Sequence, residues 1–338
     1  MKNKRVTLAE VAESAGVSVA TVSKVLNDHI DVSPATRRHV QQQLRNSSYQ
    51  QPGRDTRRSA RTGGLIEVGF PRWQNAYIVT VLDGITTAAQ GEGFQVVIGP
   101  HVGDDQVDLD LHSLRKSRVG FIFITADPSH DPVRTLVDNG LPVVVVDPLR
   151  TNSTGCISIG ATNFAGGVSA TEYLLKLGHK RIGHAGGPAA IDCSQARLAG
   201  YLSALRRGGA AIEESLITQS PFSYEGGREV ASALLGRPDR PTAIFTAADE
   251  IALGVMEEAR RLAIRIPEEL SVVGFDDSFL ASRSAPPLTT VAQPLVEMGQ
   301  LAARSLSQMI TDEVVGTRYI ELATRLVVRN STGPPVDH

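Results

Sequence analysis

The segment TLAEVAESAGVSVATVSKVLN, residues 7–27, decides how the start of this chain folds. Thr7 and, three residues later, Glu10 form a capping box, which is typical of the first turn of a helix. Gly16 suits the left-handed conformation that ends such a helix, and Ser18 suits the cap of a second one. The segment therefore predicts two short helices joined by a tight turn.

A third helix is predicted immediately downstream. Ser33 precedes Pro34, which places a capping side chain before a proline at the first helical position, and the apolar positions Val40 and Leu44 extend the helix to about Asn46. Three such helices indicate a helix-turn-helix unit, whose second helix enters the major groove of DNA. A three-helix bundle without a DNA role is the alternative.

Short side chains near the start of the second helix allow its backbone to approach the bases closely. Val19 and Ala20 suit contact with a thymine methyl group and Lys24 suits donation to guanine, whereas hydroxyl and amide side chains suit phosphate. The residues expected at the DNA are Thr7, Ser18, Val19, Ala20, Thr21, Ser23, Lys24, Asn27 and His29.

Charge is divided unevenly along the chain. Residues 1–61 contain eleven Lys and Arg against five Asp and Glu, a balance of +6, and the remainder carries −8, although the whole chain has a net charge of −2. A basic head on an acidic body favours a polyanion as the partner of the head. On charge alone, a solvated basic surface is the alternative.

Several classes of protein are disfavoured by what the sequence lacks. No apolar segment follows the basic N-terminus, as a signal peptide requires, and no apolar run approaches the roughly 18 residues of a membrane span. Cys156 and Cys193 could pair, but without a secretory signal we expect reduced thiols in a cytoplasmic, nucleoid-associated protein. Nucleotide-binding, metal-ligand and nucleophile motifs are absent, so we expect no cofactor, no metal and no enzyme activity.

From residue 65 the chain alternates apolar, β-branched runs with helical stretches. The apolar runs are LIEVGF 65–70, FQVVIG 94–99, VGFIFI 119–124, PVVVVD 142–147, CISIG 156–160, RIGHAG 181–186, TAIFTA 242–247 and LSVVGF 270–275. Continuous apolar strands between helices are typical of parallel sheets covered on both faces. Eight such strands predict two α/β lobes, the second beginning near Gly160.

Polar and aromatic side chains follow these strands, at the edge where open α/β sheets bind their ligands. Carboxylates, amides and aromatic rings together suit a ligand rich in hydroxyl groups. The strand-end residues expected at the ligand include Trp73, Asn75, Asp127, Asp147, Phe222, Asp249 and Asp276. Singly each is weak, because a strand-end Asp is often a helix cap and a solitary Trp is often in the core.

Longer motifs make the chain similar to one family. The head, VTLAEVAESAGVSVATVSKVLN followed by VSPATRRHV, resembles the DNA-binding domain of the lac repressor/galactose repressor (LacI/GalR) family. In the body, LGHKRIGHAGGP (177–188), PTAIFTAAD (241–249), IPEELSVVGFDD (266–277) and PPLTTVAQP (286–294) stand in the order of that family.

The resemblance implies a three-helix DNA-binding domain over residues 1–49, a linker over 50–64 and an effector-binding domain over 65–338. The effector-binding domain would have two lobes of parallel sheets flanked by helices, as in periplasmic sugar-binding proteins. Lobe 1 would comprise about 65–160 and 293–322, and lobe 2 about 161–292 and 323–338, with crossovers near 160, 292 and 322.

Site residues are also implied by the resemblance. Arg197 and Asp276 would bind ligand hydroxyls, and Phe222 would be an aromatic platform. Further contacts would come from Asp147, from the loop between Trp73 and Tyr77, and from Gln293. Ala248 stands where some sugar-responsive members of the family have Asn, so one polar contact is expected to be missing.

The linker departs from the family. A leucine that wedges into the minor groove is usual there, whereas no leucine lies between Gln50 and Gly64. Arg54, Arg57 and Arg58 are present instead, and our hypothesis is that they enter a narrow minor groove or pair with phosphates.

The sequence thus predicts a ligand-responsive transcription regulator, most simply a repressor of carbohydrate-utilisation genes. It would bind double-stranded operator DNA with a palindromic sequence as a homodimer, and a mono- or oligosaccharide between its lobes. Two alternatives stay open at this point: a solute-binding protein of the same fold, and a sugar-acting enzyme that uses the strand-end carboxylates.

Overall fold

The computed structural model describes residues 7–26, 32–46, 64–71, 75–99, 111–127, 133–150, 155–311 and 319–335. The chain divides into two compact units, Met1–Arg58 and Ser59–His338. We refer to them as the head and the body.

The head contains three helices, α1 (Leu8–Ser14), α2 (Val19–Leu26) and α3 (Pro34–Asn46). Their apolar faces meet in a small core. The buried core residues are Val11, Ala12, Ala15, Val22, Val25 and Val40. The predicted third helix ends where the sequence analysis placed it, at Asn46.

The predicted caps of the head are confirmed. The Thr7 amide donates to Glu10 Oε2 at 2.6 Å, and the Glu10 amide donates to Thr7 Oγ1 at 3.3 Å, which completes the capping box. Gly16 has a φ of +61°, the left-handed conformation expected after α1. Ser18 Oγ accepts from the Thr21 amide at 3.1 Å, as an N-cap does.

The body contains twelve strands among the described residues. In chain order they are β1 (Leu65–Gly69), β2 (Gln95–Ile98), β3 (Gly120–Ile124), β4 (Val143–Val146), β5 (Ile157–Ala161), β6 (Ile182–Gly186), β7 (Ile217–Gln219), β8 (Ala243–Thr246), β9 (Ser271–Asp276), β10 (Thr289–Ala292), β11 (Tyr319–Leu322) and β12 (Arg325–Val327). They form two six-stranded sheets, ordered β11-β5-β4-β3-β1-β2 and β12-β10-β9-β8-β6-β7. All neighbouring strands are parallel except β10 and β12.

Helices cover the sheets. They are α4 (Ala76–Gly91), α5 (Leu111–Ser117), α6 (Val133–Asp138), α7 (Asn163–Lys176), α8 (Asp192–Arg207), α9 (Tyr224–Leu235), α10 (Asp249–Arg261), α11 (Phe279–Arg283) and α12 (Leu295–Ile310), with a short 3-10 turn at Glu214–Leu216. The predicted α/β class is confirmed. Because helices shield them, the inner strands, such as β3, β4 and β9, are fully buried.

Two lobes share the body, and the chain passes between their sheets three times. It leaves the first sheet after β5, returns to it after β10 and leaves again after β11. Thr162 and Thr324 hold two of these crossovers together, since the Thr324 amide donates to Thr162 Oγ1 at 2.9 Å. Two of the three connections between the lobes therefore run side by side.

The sequence analysis located eight strands and missed four. Of the missed strands, β7 and β12 have only three residues each, and β11 alternates half-buried and exposed positions. β10 is fully buried but begins with Thr289 and Thr290, whose hydroxyls are paired inside the lobe. None of the four is a continuous apolar run.

Among the residues that the structure describes, none of the helices combines the length and apolar composition that a membrane crossing needs. Cys156 and Cys193 are unpaired, as expected. No group of His, Cys, Asp and Glu in the described part of the chain is arranged to hold a metal ion.

Candidate functional site

The N-terminal half of α2 is the candidate DNA-reading surface of the head. Val19 is 48% exposed, and Ala20 and Lys24 are also exposed, while Val22 and Val25 face the core. Thr21 and Ser23 are half-buried between these two faces. The open side of the helix thus carries small side chains in its first turn and Lys24 in its last turn.

Two of the residues expected at the DNA have a local structural task. Thr7 caps α1, and Ser18 caps α2 while its Oγ lies 2.8 Å from Thr21 Oγ1. The Thr7 cap fixes where α1 begins, and the Ser18 cap fixes where the reading helix α2 begins. The remaining DNA predictions, Asn27, His29, Arg54, Arg57 and Arg58, lie outside the described residues and stay predictions.

In the body, a cavity of about 400 Å³ lies between the lobes at the carboxyl ends of the strands. Six of the residues predicted to contact a ligand line it. They are Asn75, Tyr77, Asp147, Arg197, Phe222 and Asp276. The first three come from lobe 1 and the others from lobe 2, so that a bound molecule would touch both.

Arg197 is the central cation of this cavity. It extends from α8 and is 2% exposed. Its Nε donates to Asn163 Oδ1 at 2.8 Å, its Nη1 donates to the Ala247 carbonyl, and its guanidinium lies 3.8 Å from the centre of the Phe275 ring. These contacts hold the guanidinium rigidly before any ligand arrives.

Two carboxylates flank Arg197 from opposite lobes. Asp276 Oδ1 lies 3.7 Å from Arg197 Nη1 and accepts from Gln293 Nε2 at 2.6 Å. Burial raises the pKa of Asp276 and of Asp147, and in both cases Arg197 opposes the shift. Asp147 and Asp276 also have positive φ angles, +50° and +112°, a strained backbone that is concentrated at functional sites.

Lobe 1 adds an amide and a phenol. Asn75 Oδ1 accepts from the Tyr77 amide at 2.8 Å and so caps α4. Tyr77 is buried, and its hydroxyl lies close enough to Asp147 to lower the pKa of that carboxyl, against the larger effect of burial. Both residues line the cavity, where Tyr77 supports the carboxyl group of Asp147.

Sequence reasoning missed Glu250, which also lines the cavity. Glu250 lies in the first turn of α10 in lobe 2, and its Oε1 accepts a hydrogen bond from the Ala76 amide of lobe 1 at 3.0 Å. Its second oxygen, Oε2, is buried and unpartnered within the described chain. The only signal in the sequence was its position beside Asp249 after a strand, and that signal favoured Asp249.

Three predicted ligand contacts are corrected by the geometry, because their side chains do not line the cavity. Asp249 is fully buried in lobe 2, where its Oδ2 accepts from the Ser278 amide at 2.7 Å and its Oδ1 from Thr290 Oγ1 at 2.6 Å. Asp127 pairs with Arg150 at 3.3 Å.

Gln293 is the third correction. It is directed to Asp276, so it orients a ligand-facing carboxylate instead of facing the cavity. Trp73, also predicted to contact a ligand, lies outside the described residues.

A basic helix-turn-helix head and a two-lobed body with a polar interlobe cavity define the class of ligand-responsive DNA-binding regulators. Comparison with known proteins agrees. Residues 7–51 match the family described as "Bacterial regulatory proteins, lacI family", and residues 171–332 match a "Periplasmic binding protein-like domain". The chain belongs to the LacI family.

Individual relatives match along almost the whole chain. The HTH-type transcriptional regulator DegA of Bacillus subtilis is 33% identical, with 98% of this chain and 99% of that protein covered. A CelR–cellobiose complex is 30% identical with a TM-score of 0.70, covering 97% of this chain and all of that one. A lac repressor dimer bound to operator and the anti-inducer ONPF is 28% identical with a TM-score of 0.71, covering 98% and 100%.

These relatives regulate transcription, and so does this chain. The alternative of a sugar-acting enzyme that uses the strand-end carboxylates is thereby set aside. The alternative of a solute-binding protein is set aside as well, because the match includes the DNA-binding head.

Proposed function

We propose that this protein is a repressor of carbohydrate-utilisation genes that binds a palindromic operator as a homodimer and responds to a saccharide. The observation that carries the proposal is the interlobe cavity, in which a fixed arginine stands between carboxylates of both lobes beside an aromatic ring. Arginine donates hydrogen bonds to hydroxyl groups and carboxylates accept hydrogen bonds from them, and an aromatic face packs on a sugar ring. The similar CelR was solved with cellobiose, which supports this ligand class.

We assign the cavity contacts to the six lining residues named above, and the reading of bases to Val19, Ala20 and Lys24. Thr21, Ser23, Asn27 and the linker arginines Arg54, Arg57 and Arg58 are proposed as phosphate or minor-groove contacts. The proposed division is a DNA-binding domain over 1–49, a linker over 50–64 and an effector-binding domain over 65–338. We also propose that the protein works in the cytoplasm at the nucleoid.

The proposed mechanism couples the cavity to the head through lobe movement. A ligand that touches Asp147 in one lobe and Arg197 in the other binds the closed arrangement more tightly than the open one. Closure then changes the spacing of the two heads on their half-sites. A coupling free energy of about 1–3 kcal/mol would change operator affinity by about 5- to 150-fold.

Fluorescence anisotropy tests the proposal. A labelled fragment of the region upstream of this gene is titrated with full-length protein at fixed salt, with and without a panel of mono- and disaccharides that includes cellobiose. We expect specific binding that one saccharide weakens or strengthens. The absence of specific DNA binding would contradict the regulator, and specific binding that no saccharide changes would contradict the sugar effector.

A matched pair of variants shows whether the response comes from the cavity. Arg197→Lys keeps the charge but loses the planar guanidinium that reaches both Asn163 and Ala247. It should abolish the saccharide response and leave operator binding intact. Arg206→Lys makes the same change at an exposed position near the end of α8 and should leave both unchanged.

A further inference from the structure

Two helices at the cleft begin with an amide that needs an acceptor from outside the helix, since the first amide of a helix has none within it. α4 of lobe 1 begins at Ala76, and α8 of lobe 2 begins at Asp192. The preceding side chains serve neither amide, because Asn75 accepts from Tyr77 and the side chain of Ile191 offers no acceptor.

Each of these amides obtains its acceptor from the opposite lobe. The Ala76 amide of lobe 1 donates to Glu250 Oε1 of lobe 2 at 3.0 Å. The Asp192 amide of lobe 2 donates to the Leu149 carbonyl of lobe 1 at 3.1 Å. Glu250 and Leu149 both line the cavity, so the two bonds lie in its wall. We call this pair of bonds the latch.

Both acceptors are held within their own lobes. Glu250 lies in the first turn of α10, and both Glu250 and the Ala76 that it meets are less than a tenth exposed, at 8% and 7%. The Leu149 amide donates to the Ala126 carbonyl of lobe 1 at 3.0 Å, which fixes the position of the Leu149 carbonyl. Since each bond has its donor in one lobe and its acceptor in the other, opening of the cleft breaks both bonds together.

The closed arrangement depends on these acceptors. A buried amide that has lost its acceptor costs more than the hydrogen bond itself contributes, whereas in an open cleft water satisfies the same amide. The Glu250 carboxylate also lies at the positive end of α4, where negative charge is favourable. Burial raises the pKa of Glu250, and the Ala76 amide opposes that shift, as a donor to the ionised carboxylate does.

We infer that the latch holds the two lobes closed before any effector binds, and that Glu250 is a positioning residue that acts through the Ala76 amide. An effector that binds the closed arrangement has its apparent affinity reduced when only a fraction of the molecules are closed. The latch therefore sets the effector concentration at which the regulator responds. The effect on the response rests on the proposed function, whereas the latch itself does not.

Hydrogen exchange on the full-length protein, without DNA or saccharide, tests the latch. Each variant removes one of the two bonds, and exchange is measured by mass spectrometry at the amide of the other bond. Glu250→Met keeps the length of the side chain but has no oxygen acceptor, so exchange of the Asp192 amide should become about fivefold faster or more. Glu250→Gln keeps an acceptor oxygen for Ala76 and should leave this exchange unchanged.

Asp192→Pro removes the other bond. Proline has no amide hydrogen and is readily accommodated at the first position of a helix. Ile191 has φ −105° and ψ 126°, the extended conformation that a residue before proline requires. Exchange of the Ala76 amide should become faster by a similar factor. Asp192→Ala is the matched control, because it loses the carboxyl group but keeps the amide, and it should leave Ala76 unchanged.

Faster exchange at the distant amide in both Glu250→Met and Asp192→Pro would establish the latch. Faster exchange confined to the helix that lost its acceptor would make each bond a local helix cap and overturn the inference, as would unchanged or slower exchange at the distant amide. Thermal unfolding verifies that each variant is folded.

The anisotropy assay tests the effect on the response. The panel saccharide that changes operator binding should act on Glu250→Met only at a concentration about twofold higher or more, and on Glu250→Gln at the same concentration as on the wild type. An equal half-maximal concentration for Glu250→Met and the wild type would overturn the control of the response by the latch. A panel in which no saccharide acts would contradict the proposed effector, while the exchange measurement would still decide whether the latch exists.

Discussion

Replacing Asp249 by alanine removes a carboxylate that we assign to the architecture of lobe 2 and not to the ligand. Its two oxygens accept from the Ser278 amide at 2.7 Å and from Thr290 Oγ1 at 2.6 Å, and the side chain is fully buried. Alanine would leave both donors buried without an acceptor. At about 1–3 kcal/mol for each of the two unsatisfied groups, the expected loss of stability is about 2–6 kcal/mol.

Thermal unfolding followed by circular dichroism measures this loss. For a body of this size, about 1 kcal/mol corresponds to about 2–4 °C, so Asp249→Ala should lower the melting temperature by about 4–24 °C. Asp249→Asn is the matched control. Its carbonyl oxygen can accept from Ser278 and its amino group can donate to the hydroxyl oxygen of Thr290, so it should lose less than about 1 kcal/mol.

Effector binding distinguishes the two roles of this residue. Below its melting temperature, Asp249→Asn should bind the effector within about threefold of the wild type, since the side chain does not line the cavity. Asp276→Asn, by contrast, changes a carboxylate that lies in the cavity and should weaken binding by about 1.5–3 kcal/mol, the range for a hydrogen bond to a charged group. A stable Asp249→Ala variant that had lost effector binding would refute our reasoning.

Further predictions follow from the head, the helix packing and a buried histidine. Lys24→Ala should weaken operator binding by about 1–3 kcal/mol and relax the sequence preference at one base pair per half-site. Anisotropy with single-base operator variants measures both effects. An equal loss of affinity on every sequence would instead make Lys24 a phosphate contact. Gly84→Ala should destabilise the body, because the new Cβ would lie 2.1 Å from the Val296 carbonyl oxygen in α12. Gly91→Ala at the open end of α4 is the control and should be neutral or stabilising by about 0.5–1 kcal/mol. Comparable melting temperatures for the two variants would contradict the close contact between α4 and α12. Burial lowers the pKa of His184 from 6.5 to about 4, so between these pH values the unfolded chain binds a proton that the folded chain does not. The free energy of unfolding should therefore decrease as the pH falls from about 6.5 to 4. His184→Gln should flatten this part of the curve of melting temperature against pH, and an unchanged curve would exclude His184 as its source.

The order of elements along most of the chain could be predicted from the sequence because its signals are local. The Thr7–Glu10 box and the Ser18 cap join residues three positions apart, so their pattern survives in the sequence whatever the rest of the fold does. The eight strands first identified are continuous apolar runs, which parallel sheets require. The strands missed lack that pattern, because β7 and β12 are very short, β11 is half-exposed and β10 begins with threonines.

The composition of the site was only partly predictable. Asp147, Arg197 and Asp276 were located from strand ends and from the family resemblance, and the structure brings them into one cavity. Asp249 and Glu250 could not be separated in this way. Both follow the same strand, and both are acidic residues in the first turn of a helix, where negative charge is favourable in any protein.

What the sequence by itself determined is therefore the class of the protein: a basic three-helix head, then two α/β lobes with polar side chains at one edge of each sheet. What only the tertiary structure decided is which of those side chains meet. Consecutive side chains on a helix point about 100° apart, so Asp249 and Glu250 face different surroundings. The packing of α10 places Asp249 inside lobe 2 and Glu250 in the cleft between the lobes. There Glu250 meets the amide of Ala76, 174 positions away in the chain, a contact that exists only when the two lobes face each other.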